Sequence, residues 1–525
     1  MPLDGVVPFP EEFQARYRAA GYWQDETLDE VFRAAFAKYA DRPALIWSEG
    51  SMSYRELQGA ADRLAGRLWQ AGLRPLDRVI VHLPNCPEFV QLHFALQRIG
   101  VVPVMALAAH RRHEIEHYVG LAEAAAYFGA EPDLGLELQP EHPSLRLVMG
   151  REQLGDAEPA PEPPPFRADP DDACVLLLSG GTTGIPKLIP RTHNDYVYNT
   201  RMASLAQQIS AATVQLCVLP LAHNMPLACP GIQGVYLAGG AVVLAASTRA
   251  GDVLPAIQKH RVTHVAAVPA LYIRWLADPL AASSDLGSVQ LLQSGGQRLQ
   301  PEVRRRMART FPNAFVQENF GMSEGTLFFT HPGDPEEVRL ETVGTPVSPD
   351  DEIRLTDEDG EEVPDGEVGE LTVRGPYTLR GYYRAADYNQ RVFTRDGFYR
   401  SGDLMRRHPS GSYLVEGRIK DLVNRGGEKI SAEEVENLIL TLPAVRNVAC
   451  IPLPDPVLGE RMCACVILQP GAALSLEALV AHLTDLGVAK YKLPERLERF
   501  ESFPLSAFGK VSKKTLAQRL TAETV

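Results

Sequence analysis

Apolar β-branched runs that alternate with helix-period stretches most constrain what this chain can fold into. "DRVIVHLP" (77–84) reads as a strand, "CPEFVQLHFALQRIG" (86–100) as an amphipathic helix and "VVPVMAL" (101–107) as another strand. "GGAVVLAA" (239–246), "GDVLPAIQKHR" (251–261) and "VTHVAAVP" (262–269) repeat the theme. Strand, helix, strand at this spacing predicts parallel βαβ units. A chain of 525 residues exceeds what one hydrophobic core serves, so two or more domains are expected.

The texture changes after about residue 340. "EIRLTDEDGEEVPDGEVGELTVRG" has short alternating strands around Asp-Gly turns, as in an antiparallel sheet or small barrel. "GRIKDLVNRGGEKISAEEVENLIL" then opens a compact α+β tail that closes with "FGKVSKK". A boundary near Lys420 divides the chain into 1–419 and 420–525. The Pro-rich, acidic "EPAPEPPPFRADPDD" (158–172) reads as an extended connection.

The formal net charge of -14 argues against a nucleic-acid binder or a binder of anionic membranes. Any bound polyphosphate must be held by local groups, because the overall field repels it. Seven cysteines, an odd number without a C-x-x-C, make a disulfide framework or zinc site improbable and fit a reducing cytoplasm. The start, "MPLDGVVPFPEEFQARYRAAGYWQDE", does not read as a signal peptide, and "GVVPVMALAAH" is too short to span a bilayer.

"LLLSGGTTGIPK" (176–187) is a strand running into a loop of Ser, Thr and Gly. Such a loop offers N–H groups and hydroxyls to phosphate oxygens, and Lys187 adds a point charge. It is not a Walker A loop, because Leu188 stands where that motif needs a metal-binding hydroxyl. A plainer reading is a turn ending in a surface lysine. Four more stretches carry polar groups at Gly-rich turns. In "QSGGQRL", Gly295 and Gly296 would let a flat base approach the backbone. In "NFGMSEG", Glu324 offers a hard oxygen suited to magnesium. In "YRSGDL", Asp403 follows a Ser-Gly turn and would accept two hydrogen bonds from a ribose diol, with Arg418 reaching phosphate. In "PLSAFGKVSKK", Lys510 follows a glycine. Taken singly, these four are ordinary surface turns or, for the last, a solvated basic tail.

Together and in this order, the five pieces resemble the adenylate-forming superfamily of acyl-CoA synthetases, nonribosomal adenylation domains and luciferases. The resemblance spans essentially the whole chain. "FPEEFQARYRAAGYWQD", "LLLSGGTTGIPKLIPRTHNDYVYN", "LPLAHNMPLACPG" and "GRIKDLVNRGGEKISAEEVE" are most similar to the stand-alone aryl acid–AMP ligases of siderophore and nonribosomal peptide biosynthesis. The resemblance implies an α/β fold. Its large N-terminal domain would combine βαβ subdomains with an antiparallel sheet or β-barrel, followed by a small mobile α+β domain. It also implies ATP and Mg2+ as cofactors.

By resemblance, Ser179, Gly180, Gly181, Thr182, Thr183, Gly184 and Lys187 form the loop over the β- and γ-phosphates. Gly295, Gly296 and Gln297 would lie beside the adenine, although the family often has a small residue where Gln297 stands. Glu324 would ligate magnesium, Asp403 would hold the ribose, and Arg418 would approach ribose and phosphate. Lys420 would be the interdomain hinge and Lys510 the catalytic lysine. In the acid pocket Asn224 would contact the carboxylate and 2-hydroxyl, with His223 as the catalytic neighbour on the carboxylate side.

Cys229 stands where dihydroxybenzoate activators have Ser and salicylate activators have Cys, which favours salicylate over 2,3-dihydroxybenzoate. Met225 replaces the family's Tyr or Phe, leaving room for a substituted ring such as 6-methylsalicylate or a heteroaromatic such as 3-hydroxypicolinate. Leu327 would form another wall. No Gly-Gly-x-Ser carrier motif follows Lys510, so the acceptor is expected in trans. It would be the phosphopantetheine thiol of an aryl carrier protein, with coenzyme A as the alternative. A monomer or homodimer with no nucleic-acid or membrane partner is expected.

Overall fold

The computed structural model describes residues 3–155, 160–179, 186–296, 298–425, 428–455, 457–486, 488–505 and 511–522. It divides into two compact units. The first comprises Met1–Leu340, Gly344–Glu352 and Val373–Tyr399; the second comprises Glu341–Val343, Ile353–Thr372 and Arg400–Val525.

The first unit holds two sheets. In the six-stranded sheet the strands run in the order Leu147–Gly150, Ala126–Gly129, Arg78–His82, Val102–Met105, Ala173–Leu178 and Leu188–Thr192. All neighbours are parallel except the last pair, which is an antiparallel hairpin. Ala126–Gly129, Val102–Met105 and Ala173–Leu178 are buried at every residue. That is why they read as continuous apolar runs and not as alternating strands.

The nine-stranded sheet has six parallel strands at its centre: Pro43–Trp47, Ala241–Leu244, Val214–Cys217, His264–Ala267, Leu291–Gly295 and Phe315–Met322. Its two edges are antiparallel. The βαβ units read from sequence are all present, with helices at Pro87–Arg98 and Ala250–His260. Leu254, Ile257, Tyr272, Trp275 and Leu292 pack one face of this sheet into a dry core. In an open parallel sheet, ligands bind beyond the carboxyl ends of the strands. The segments bearing Asn224, Gly296 and Glu324 all follow such ends.

The second unit holds most of the four-stranded sheet Glu352–Thr356, Val368–Arg374, Tyr399–Arg407 and Tyr413–Arg418, where a sheet or small barrel is expected from the Asp-Gly turns. It also holds a five-stranded sheet built around the long antiparallel pair Val445–Asp455 and Gly459–Leu468. The helix Ala432–Ile439 packs there, with Val435 and Ile439 in the core. Lys420 falls in the short 3-10 turn Ile419–Asp421. No helix or strand forms from residue 160 to 172, as the proline run predicts. All seven cysteines are buried and none forms a disulfide. Among the described residues, no helix is long and apolar enough to cross a membrane.

Candidate active site

The helix His193–Ala206 organises much of the site. It starts at a capping box. Thr192 Oγ1 accepts from the Asp195 backbone N–H, and Asp195 Oδ2 accepts from the Thr192 N–H at 2.7 Å. The first turn then presents Asp195, Tyr196 and Asn199 on one buried face. Asp195 Oδ1 also accepts from Nε of Arg191, whose side chain is fully buried, at 2.8 Å. The same guanidinium donates to the backbone oxygens of Ser323 and Tyr377, both at 3.2 Å, and lies over the Tyr196 ring. Arg191 thus ties the strand after the Ser-Thr-Gly loop to the turn that carries Glu324.

That turn is a two-residue hairpin. Met322 pairs with Gly325, leaving Ser323 and Glu324 at the tip. A side chain at Gly325 would collide with the backbone of Tyr377 and Thr378, which accounts for the glycine. Glu324 is buried, and its Oε1 accepts from the Tyr382 hydroxyl at 2.7 Å. Burial, together with Glu324 and Tyr399, pushes the Tyr382 phenol far up, so it remains a donor.

Across the Ser-Thr-Gly loop, Ser179 and Lys187 form a closed base. The Ser179 N–H donates to the Lys187 carbonyl, and the Lys187 N–H donates to Ser179 Oγ, both at 2.9 Å. Gly180, Gly181, Thr182, Thr183 and Gly184 lie outside the described residues, as do Gln297 and Lys510. Lys187 Nζ sits 3.8 Å from the centre of the Tyr388 ring. Its pKa is lowered by burial and by Arg391, against the pull of Glu324. Glu324 and Lys187 therefore belong to one cluster.

Asn224 opens the helix Asn224–Ala228, with His223 preceding it as the N-cap residue. Asn224 Oδ1 accepts from the Tyr196 hydroxyl at 2.8 Å. This fixes the amide so that its NH2 group points away, available to donate to an acid's oxygens. Met225 is half-buried beside it. Cys229 ends the helix and is buried with Tyr198, Leu327, Phe329 and Tyr377. Asn199 Nδ2 donates to the Ala228 carbonyl at 2.7 Å, and Gln293 Nε2 to that of Cys229 at 3.0 Å. Burial pushes the Cys229 thiol up to about 12, so it is neutral and not poised as a nucleophile. The strand Leu291–Gly295 brings Gly295, followed by Gly296, to the same end of the sheet.

Leu327 is held through its backbone. Its N–H donates to the Tyr377 hydroxyl at 2.9 Å, and that hydroxyl donates to Asp351 Oδ2 at 2.7 Å. Burial raises the Asp351 carboxyl from the ordinary 3.8 to about 8, offset only in part by Tyr377 and the Ser348 N–H. Folding therefore takes up a proton between those two values. The folded state loses stability as pH rises through that window, by at most about 1.4 kcal/mol per pH unit, and the loss levels off above pH 8. Asp351→Asn should remove this loss. Its thermal midpoint should match the parent near pH 4 and pull ahead by several degrees at pH 8. A difference that stays flat across pH 4–8 would contradict the assignment.

In the second unit Asp403 and Arg418 pair across adjacent strands, with Arg418 Nε 2.7 Å from Asp403 Oδ1. The sequence suggests a Ser-Gly turn at Asp403. The structure instead puts it within the strand Tyr399–Arg407, where Gly402 takes a φ of +72° and the Asp403 N–H is bonded by Ser401 Oγ. Near the C-terminus, Lys513 of "GKVSKK" is committed to an ion pair with half-buried Glu436 at 2.6 Å. Sequence reasoning did not single out Arg191, Tyr196, Asn199, Tyr377, Tyr382 or Tyr388. Only "LIPRTHNDYVYN", quoted for its resemblance, contains three of them.

Residues 32–383 match the AMP-binding enzyme family and residues 434–510 match the AMP-binding enzyme C-terminal domain. The chain is 48% identical to a salicylyl-CoA synthase / salicylate adenylyltransferase of a Streptomyces species, covering 98% of both proteins. It is 43% identical to the 2,3-dihydroxybenzoate-AMP ligase of Bacillus subtilis, covering 99% of this chain and 98% of that enzyme. The apo structure of Mycobacterium smegmatis MbtA superposes with a TM-score of 0.76 at 43% identity, over 98% of this chain and 99% of that one. The mixed α/β architecture, with a large first and a small second region, is that of these enzymes, and enzymes of this kind use ATP. The chain belongs to the AMP-binding, adenylate-forming enzyme family.

Proposed function

We propose that the chain is an aryl acid–AMP ligase. It joins an aryl carboxylate to the α-phosphate of ATP and releases pyrophosphate, then passes the aroyl group to a phosphopantetheine thiol of an aryl carrier protein, forming a thioester and releasing AMP. The observation that carries this reading is a buried amide, Asn224, aimed by the Tyr196 hydroxyl, in the unit that also holds the Cys229–Leu327 cluster and the Glu324 hairpin. Such a pocket suits a flat acid with a hydroxyl next to its carboxylate.

The chemistry follows from charge. A carboxylate is a weak nucleophile facing an anionic phosphate, so cations must neutralise the phosphates and hold the acid in line. Asn224 Nδ2 would donate to the carboxylate and 2-hydroxyl oxygens, with His223 bordering them. Ser179 to Lys187 would close over the leaving pyrophosphate, and Lys510 would bridge carboxylate and α-phosphate. A buried carboxylate at a hairpin tip fits Mg2+, which takes one or two protein carboxylates and fills its shell with phosphate oxygens and water. Bound at Glu324, that ion would neutralise phosphate charge. Asp403, steadied by Arg418, would hold the ribose hydroxyls, and Gly295 and Gly296 would back the adenine. The segment from Lys420 onward is the proposed mobile domain, with "NRGGEKIS" facing the site in the thiol-transfer state.

The test is ATP–pyrophosphate exchange over a panel of aryl acids, and no exchange with any benzoate-type acid would sink the proposal. Between salicylate and 2,3-dihydroxybenzoate the salicylate pattern is favoured, because the neutral Cys229 thiol is a poor partner for a 3-hydroxyl. Cys229→Ser should shift the kcat/KM ratio toward 2,3-dihydroxybenzoate by about tenfold, as one hydrogen bond is worth about 1 kcal/mol or more. An unmoved ratio would discredit this pocket assignment. Coenzyme A as acceptor is the second reading, favoured by the 48%-identical Streptomyces relative, a salicylyl-CoA synthase / salicylate adenylyltransferase. Thioester turnover with free coenzyme A that equals turnover with carrier would select it.

A further inference from the structure

One polar side chain on the pocket face has no partner. Asn319 lies in the strand Phe315–Met322, in register with Gly295 on one side and with Phe329 on the other. Side chains alternate along strands, so Asn319 shares a face with Gln293, Gly295, Leu327 and Phe329. This is the face that carries Cys229, because Gln293 bonds the Cys229 carbonyl while Leu327 and Phe329 pack with Cys229. The amide lies against Gly295, where an added Cβ would come 2.4 Å from Asn319 Oδ1. Gly295 thus makes the room that Asn319 occupies.

Asn319 is 8% exposed, and its Oδ1 is buried without a hydrogen bond among the described residues. The deeper Gln317 of the same face also has an unpartnered Oε1, but its amide is anchored on the carbonyls of Thr330 and Ala206. The Asn319 side chain makes no hydrogen bond to any described residue, so nothing among the described residues explains an amide at this depth. A buried unpaired amide is costly, and an apolar side chain of similar size would pack there at no such cost. The cost is offset if a ligand supplies the missing partner.

We propose that Asn319 is a specificity-determining residue that reads a polar group on the substrate ring, distinct from the 2-hydroxyl reached by Asn224. This rests on the aryl acid–AMP ligase reading. The substrate class is then an aryl acid with a hydroxyl or amino group, or a ring nitrogen, on the edge facing the strand Phe315–Met322. A hydroxyl or amine donates to Oδ1, and a rotated amide donates to a ring nitrogen. The half-buried Met225 leaves the ring space for such a group.

The experiment is pyrophosphate exchange on acid pairs that differ by one polar atom: hydroxyl against methyl, amino against methyl, and pyridine against benzene, at each open ring position. The parent enzyme should prefer one polar member by about tenfold or more, and Asn319→Val should bring that ratio close to one. Hydroxyl, amino and aza pairs separate the three chemistries. An unchanged ratio in Asn319→Val overturns the proposal while leaving the aryl acid ligase intact. If the variant does not fold, a parent enzyme that favours no polar member at any position overturns it equally. Exchange with no aryl acid at all overturns the underlying reading and this proposal with it.

Discussion

Arg191→Leu should be the most damaging single substitution outside the reacting groups. The variant is expected to lose about 3–5 kcal/mol of stability, the usual cost of removing one partner of a buried ion pair. Asp195 is 1% exposed and would be left as an uncompensated charge at the start of the helix that carries Tyr196 and Asn199. The carbonyls of Ser323 and Tyr377 would lose their shared donor, which loosens the hairpin holding Glu324. Burial works against the Arg191 charge, but Asp195 and Tyr196 outweigh it, and the guanidinium pKa stays raised. Arg191→Lys separates folding from site geometry. A lysine keeps the charge beside Asp195 but lacks the planar fork that reaches both carbonyls. It should fold with a smaller loss and still lower pyrophosphate exchange by about tenfold, with a raised Mg2+ requirement. Full activity in Arg191→Lys would show that the charge alone suffices and would defeat the argument for the fork.

The scaffold was legible because its signals are local. Runs such as "ACVLLL" and "AYFG" are apolar throughout because both faces are covered, and their spacing announces the parallel sheets. Glu324 and Asp403 were legible as candidates only once their turns were read together with the other motifs, and Asn224 only through the resemblance. What holds them was not. Tyr382 reaches Glu324 across 58 residues and Tyr196 reaches Asn224 across 28, and no spacing rule predicts such pairings. Arg191 escapes notice for a different reason. Arginine is among the residues least often buried, so a sequence reading assigns it to the surface until its partners are known. Asp403 was read in a turn because "SGD" is turn-like, but Gly402 bends a strand there and the cross-strand partner Arg418 fixes the carboxylate. Asn319 looks like an ordinary strand polar residue until its neighbours on both sides prove apolar or lacking a side chain.

Lys510→Ala should lower aryl-adenylate formation by about two to three orders of magnitude, the scale seen when one preorganised stabilising group is removed from a charged transition state. The proposed role is to neutralise the α-phosphate and align the carboxylate, and both effects are felt only while the new phosphorus–oxygen bond forms. The loss should therefore fall on kcat more than on the KM for either substrate. Two other lysines are poor substitutes. Lys513 is bound to Glu436, and Lys187 is packed on Tyr388 at the base of the Ser-Thr-Gly loop. The second half-reaction makes a sharper test. If the segment beyond Lys420 turns to present "NRGGEKIS" during thiol transfer, Lys510 is no longer at the reacting carbon. Lys510→Ala should then transfer the aryl group from supplied aryl-AMP to a carrier thiol at near the parent rate. Equal losses in both steps would mean that Lys510 serves the fold or both reactions, and would remove the basis for assigning it to adenylation alone. Unimpaired pyrophosphate exchange in the variant would remove it from the chemistry altogether.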